Sequence, residues 1–214
     1  MRRRRLDGHS VYSQGKEELL IRDFFSNRRG GFFVDVGAGH WSNDNNTLYL
    51  EERLGWTGIA VEAMAWEEQG YLAHRPRTRF FNYIVTDHSQ TRDPLYIAGC
   101  LSSTRRDHRE LFSNTRGLDL PVVLVPTTTL DELLDAHAIE RIDLLCMDVE
   151  QGEPAALTGF DIERFSPELV CVEVGTDLVR TAVEPYFESR GYRRIDEYLA
   201  WDWVNWYYAR DGIS

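Results

Sequence analysis

The 214-residue sequence has no apolar run approaching the ~18 residues of a membrane-spanning helix, so no membrane insertion is expected. It is short of positive charge. Twenty-four Lys and Arg stand against 35 Asp and Glu, for a net charge of −11. So acidic a body repels phosphate backbones, which argues against nucleic acid as a general partner. Cysteine is scarce and odd in number: Cys100, Cys146 and Cys171, with no metal-ligand spacing. That excludes a disulfide framework and a zinc site. Cys146 and Cys171 lie in apolar runs and read as buried thiols, and a reducing cytoplasm is the expected compartment. Internal repeats and low-complexity linkers are also missing, and the length suits one domain. The start, Met1 through Arg5, is basic, but Leu6-Asp7-Gly8-His9 follows where a signal peptide would place its apolar core. Residues 1–10 are expected to form a disordered basic tail and residues 11–214 the domain.

What is present is an alternation of apolar runs with helical patterns, which predicts a parallel sheet flanked by helices. Ser13 to Phe25 reads as a first helix, with Leu19, Leu20, Phe24 and Phe25 on one face. Expected crossover strands are Gly31–Val36, Gly58–Glu62, Phe80–Val85, Ile142–Asp148 and Glu168–Val174. Between them, one helix starts with Asn46 as N-cap and stops at Gly55, and another covers Trp66–Ala73 until Arg75-Pro76 ends it. Thr129-Leu130-Asp131-Glu132 matches a capping box for a helix to about His137. Pro154 suits the first turn of the next helix, whereas Pro185 marks a kink or break in the helical stretch Asp177–Arg190. Residues 93–126 break the rhythm: Pro94–Ile97 and Val122–Val125 predict a hairpin insertion around the polar segment Ser102 to Gly117. The last runs, Tyr192–Glu197 and Trp203–Ala209, have no helix between them and should pair antiparallel, completing seven strands.

The chemistry concentrates at strand ends. Phe32-Phe33-Val34-Asp35-Val36-Gly37-Ala38-Gly39-His40 is an apolar run that ends in an Asp and turns through two glycines toward a helix. Glycines there let backbone approach a ligand closely, and a carboxylate in such a strand needs polar partners. In the dinucleotide register G-x-G-x-x-G the third position is Ser42 rather than Gly, and Asp35 would oppose a pyrophosphate. S-adenosylmethionine suits local acidity better, because its amino-acid end carries an ammonium and its sulfur is a cation. Glu62, at the tip of the second strand, is placed to accept both ribose hydroxyls of any adenosine ligand. Asp87 falls where a side chain could meet the adenine amino group, or is a turn residue. Asp148 and Glu150 end the fourth strand and should face the reacting group, where ligands of open α/β sheets lie. Either could serve as a general base toward a hydroxyl, or the pair could hold a hard divalent cation; no metal site is assigned. Glu173 lies at the same edge.

With these residues in place the chain resembles the FkbM family of S-adenosylmethionine-dependent methyltransferases over nearly its whole length. The matching pieces run in order: Tyr12-Ser13-Gln14, the run from Gly31 to Gly39, Leu54-Gly55-Trp56-Thr57-Gly58-Ile59-Ala60-Val61-Glu62, Thr129-Leu130, Asp148-Val149-Glu150, Gly159-Phe160-Asp161 and Gly191-Tyr192. The resemblance implies a class I methyltransferase fold of the α/β class. That fold is a Rossmann-like seven-stranded sheet with an antiparallel last strand and helices on both faces, here with a small β insertion after the third strand. It implies S-adenosyl-L-methionine as cofactor, contacted by Asp35, Gly37, Ala38, Gly39 and Glu62, with Ser42 and Asn43 as the polar pair after the turn. It further implies O-methylation of a hydroxyl on a small molecule, a sugar or a polyketide-type product. Two positions depart from the family pattern. Gln151 stands directly after Asp-Val-Glu, where Gly is usual, and Ala63 replaces the Pro that usually follows the second-strand Glu.

Other residues carry two readings each. His40 either packs or caps the turn or acts as a base. Ser102-Ser103-Thr104-Arg105-Arg106 is a lid or anion clamp, or a solvated loop. The aromatic tail Trp201, Trp203, Trp206, Tyr207 and Tyr208 follows from strand alternation, or forms a homodimer surface or acceptor wall. The functional alternatives are a nicotinamide-dependent oxidoreductase and a non-catalytic S-adenosylmethionine-binding scaffold.

Overall fold

The computed structural model describes residues 9–107, 117 and 119–212. The basic tail expected over residues 1–10 falls outside it except for His9 and Ser10, as does most of the second half of the Ser102–Gly117 segment. The chain runs through α1 (Glu17–Phe24), β1 (Phe32–Val36), α2 (Leu48–Leu54), β2 (Thr57–Val61), α3 (Glu68–His74), β3 (Thr78–Phe81), β4 (Ile84–Val85), β5 (Arg92–Tyr96) and β6 (Val122–Thr128). It continues through α4 (Leu130–Ala136), β7 (Leu144–Met147), α5 (Glu153–Thr158), α6 (Ile162–Phe165), β8 (Leu169–Glu173), α7 (Asp177–Glu188), β9 (Tyr192–Arg194) and β10 (Asn205–Arg210). The main sheet has seven strands in the order β3-β2-β1-β7-β8-β10-β9. β10 runs antiparallel to both its neighbours, and the pairings from β3 across to β8 are parallel.

Strand order reverses between β1 and β7, so helices before and after that point cover opposite faces. The period-two alternation of a strand divides the core accordingly. Val34, Val36, Ile59, Val61, Leu145 and Met147 pack with side chains of α4, α5 and α7. Phe33, Leu144 and Cys146 face the other way, against Leu20 and Ile21 of α1, Leu50 and Leu54 of α2, and Trp56. Cys146 and Cys171 are buried thiols, as expected. The last two strands pair antiparallel, and Tyr207 and Tyr208 alternate into the two core faces. No helix among the described residues is long and apolar enough to cross a membrane.

Several boundaries differ from expectation for local reasons. α1 starts at Glu17 rather than Ser13, because side chains hold the preceding backbone: Val11 and Tyr12 N–H groups donate to Glu18 Oε2. α2 takes Thr47, not Asn46, as N-cap residue, yet Asn45 Oδ1 accepts from the Thr47 and Leu48 N–H groups. The Trp66–Ala73 helix opens as a 3₁₀ turn over Ala65–Glu67 and continues as α3 to His74. The third strand splits at Asn82, whose Nδ2 donates to the Glu62 and Ala63 carbonyls. β3 stops at Phe81, and β4 joins a separate three-stranded sheet, β4-β6-β5, in which β5 and β6 form the expected hairpin. α7 continues through Pro185 as one helix. β9 is cut short by a 3₁₀ turn at Asp196–Ala200. Thr129 caps α4, accepting from Glu132 N–H.

Beneath the β1–α2 connection lies a buried ion pair. Arg75 Nε donates to Glu51 Oε2 at 2.5 Å, with both side chains almost wholly buried. Thr78 Oγ1 and the Arg77 N–H also donate to the Glu51 carboxylate. Removing one partner of such a pair leaves an uncompensated interior charge. Glu51→Ala is therefore expected to cost about 3–5 kcal/mol of unfolding free energy, read from urea midpoints.

Candidate active site

At the end of β1 the chain turns through Gly37 with φ 78°. A Cβ on Gly37 would lie 1.6 Å from the Asp148 carbonyl oxygen, so only glycine lets the end of β1 pass the end of β7. The Gly37 and Ala38 N–H groups donate to the Val61 carbonyl, tying the turn to β2. Gly39, also at positive φ, donates its N–H to Glu62 Oε2 at 2.8 Å, and the Met64 N–H donates to Oε1 at 2.8 Å. Glu62 is buried, and burial raises its pKa despite these bonds. Each oxygen retains acceptor capacity beyond its backbone donor.

The turn opens onto a cavity of about 530 Å³. Of the residues singled out from the sequence, Gly37, Ala38, Gly39, Asn43, Glu62, Asp148 and Glu150 line it together. Asp35, Ser42 and Asp87 do not. Asp35 sits on the strand parity opposite Val34 and Val36, where its Oδ2 accepts from Thr47 Oγ1 at 2.8 Å. Burial pushes its pKa up to about 6, with Thr47 and Arg75 working the other way. Ser42 turns toward His40, whose Nδ1 accepts the Ser42 and Asn43 N–H groups at 3.1 Å each. That engages the Nδ1 lone pair in capping the turn. Asp87 is half exposed and pairs with His88, which bridges to Asp93.

The same cavity is lined by a carboxylate cluster. Asp148, Glu150 and Glu173 each place an oxygen within 4.8 Å of the others, a spacing that a hard cation with oxygen ligands would accept. Asp148 is exposed where it lines the cavity, and desolvation by the protein packed around its carboxyl, with the charges of Glu173 and Glu150, holds its pKa above the usual range. Glu173 is pushed up to about 7, chiefly by burial and then by Glu150 and Glu153, while its hydrogen bond with Asp148 works in the other direction. The two carboxyls therefore share their ionisation, each held up by burial and by the other's proximity. Glu150 and Gln151 take left-handed φ values of 52° and 72°. Gln151 occupies the position where the FkbM pattern has glycine, and a non-glycine residue there costs about 1–3 kcal/mol.

Two participants were not assigned a role from sequence. Glu173 was legible only as another strand-end carboxylate, and Ser103 only as one member of a segment read as a lid, an anion clamp or a solvated loop. Ser103 Oγ donates to the Glu150 carbonyl at 2.7 Å, and Ser102, Ser103 and Thr104 line the cavity. Arg105 instead pairs with Asp107.

A seven-stranded sheet with an antiparallel penultimate strand position, and a glycine turn and acidic strand ends around one cavity at its switch point, define a class I S-adenosylmethionine-dependent methyltransferase. The family model described as the methyltransferase FkbM domain matches residues 35–194, and the chain belongs to that family. Among solved structures, a methyltransferase FkbM from Methylobacillus flagellatus KT is 15% identical with a TM-score of 0.51, over 85% of this chain and 44% of that one. The METTL16 methyltransferase domain is 8% identical with a TM-score of 0.53, over 91% of this chain and 65% of that one. The chain therefore spans less than half of the first and about two thirds of the second. No curated protein matches the chain. Family membership favours a sulfonium cofactor over the nicotinamide alternative.

Glu153 gives the cluster a measurable signature. Its Oε1 accepts from the Val149 N–H, its buried Oε2 has no partner among the described residues, and burial raises its pKa to about 8. A carboxyl raised in the folded state binds its proton more tightly there than in the unfolded chain. Its stabilising contribution is complete at acid pH and is lost as pH rises toward about 8. Urea midpoints between pH 5 and pH 9 should fall less in Glu153→Gln than in the parent.

Proposed function

We propose that the protein methylates a hydroxyl of a small molecule, of sugar or polyketide type, using S-adenosyl-L-methionine. The observation that carries this reading is that Glu62 and the Asp148–Glu150–Glu173 cluster line one cavity. The residues fit the cofactor: Glu62 offers buried acceptor oxygens to the ribose hydroxyls, the Gly37–Gly39 turn admits close backbone approach, and the acidic lining suits a sulfonium. When bound, S-adenosylmethionine supplies an electrophilic methyl group.

The chain's own residues would then orient the acceptor and take its proton. A base works best when its pKa lies near the operating pH, and Glu173, at about 7, meets that condition. Asp148 donates a hydrogen bond to Glu173 and fixes its orientation, and Glu150 adds negative charge that raises its basicity. Displacement at a methyl group neutralises charge, so positioning is the larger contribution. Ser102, Ser103 and Thr104 form the wall beside the cluster. The carboxylates disfavour phosphorylated or carboxylated acceptors, so a neutral or cationic hydroxyl compound fits best.

Calorimetry should detect S-adenosylmethionine and S-adenosylhomocysteine but not NAD, and Glu62→Ala should weaken both by about tenfold or more. A methyl-transfer screen over sugars and macrolides, read by mass spectrometry, tests the reaction. Asp148→Asn and Glu173→Gln should each lower turnover, the latter by about 100-fold, with cofactor affinity within about twofold of the parent. The parent rate should rise with pH through about 7 and lose that rise in Glu173→Gln. Binding of NAD with no binding of S-adenosylhomocysteine would sink the cofactor assignment. Cofactor binding with no transfer to any acceptor would leave the scaffold reading in its place.

A further inference from the structure

A buried polar network lies behind the glycine turn, away from the cavity. Asn45 Nδ2 donates to the Ala38 carbonyl and to the His40 carbonyl, each at 3.2 Å, and Tyr71 Oη donates to the Ala38 carbonyl at 3.0 Å. Arg75 Nη1 donates to the Trp41 carbonyl and to Asn45 Oδ1, each at 3.1 Å, so the Glu51–Arg75 pair braces Asn45. Asn45, Tyr71 and Arg75 are each about 1% exposed or less. Burial also raises the Tyr71 pKa, which keeps its phenol neutral and able to donate.

In a trans peptide the carbonyl of one residue and the N–H of the next point in opposite directions. Drawing the Ala38 carbonyl inward toward Tyr71 and Asn45 turns the Gly39 N–H outward, and that N–H holds Glu62 Oε2 at 2.8 Å. We propose that Tyr71, with Asn45, is a positioning residue for cofactor binding. It fixes the Ala38–Gly39 peptide plane and thereby aims the Glu62 carboxylate into the cavity. This rests on the reading of Glu62 as the ribose acceptor. Tyr71 does not line the cavity, and its effect travels through one peptide group.

The test is a double-mutant cycle of Tyr71→Phe and Glu62→Gln, with S-adenosylhomocysteine as the calorimetric probe and thermal melting in parallel. Loss of the single hydroxyl should weaken binding about fivefold while the melting curve stays cooperative. Because Tyr71 acts through Glu62, the double variant should bind no more weakly than Glu62→Gln alone. Losses that multiply in the double variant, or parent-like affinity in Tyr71→Phe, would overturn the proposal and leave Tyr71 with a packing role only. Failure of the parent protein itself to bind the probe would instead remove the underlying cofactor reading, and this inference with it.

Discussion

The close passage of Gly37 against the Asp148 carbonyl is the constraint on which the rest of the site depends. β1 and β7 stay hydrogen-bonded to their very ends, where the Asp148 N–H donates to the Val36 carbonyl. The chain must then leave β1 in a left-handed turn with no side chain between the two strands. Glu62 follows β2 on one side of β1 and Asp148 follows β7 on the other, and both line the same cavity. The reversal of strand order puts the cavity at this point, and the glycine lets the ends of β1 and β7 meet there.

The same crowding accounts for the electrostatics. Asp148, Glu173, Glu153 and Glu62 all have raised pKa values, and burial is the largest cause for each. Each therefore holds its proton to a higher pH than a solvated carboxyl does. The strain of Glu150 and Gln151, at the same turn, belongs to the same pattern of local cost at a site supported by its surroundings.

Much of this was legible in the sequence, and the exceptions have identifiable causes. Strand-end carboxylates can be read because the carboxyl ends of parallel strands are where ligands lie; Glu62, Asp148 and Glu150 line the cavity on that ground. Asp35 sits in an equally conspicuous position, but its parity opposes that of Val34 and Val36. Both faces of the strand are buried, so apolar periodicity could not say which face met the ligand. Glu153 read as an unremarked first-turn residue because its importance lies in burial, which follows from the packing of α5 against the sheet. The break of the third strand depended on Asn82, a side chain that captures two carbonyls of a neighbouring loop. Bonds of that kind join residues about twenty positions apart and leave no local pattern.

The buried Arg75–Glu51 pair raises the question of why apolar residues do not take its place, since well-packed hydrophobic substitutes for interior ion pairs are often as stable or more so. The answer lies in the backbone beside it. A turn that bends through Ala38, Gly39 and Trp41 has no regular ladder to satisfy its carbonyls, and buried carbonyls need donors. Asn45 serves two of them while its own oxygen accepts from the Thr47 and Leu48 N–H groups and from Arg75, which also reaches the Trp41 carbonyl. An apolar replacement would remove the charge penalty while stranding the Trp41 carbonyl, so part of the gain would be lost to unsatisfied backbone. The pair is thus a consequence of the turn, and the turn is a consequence of bringing β1 against β7.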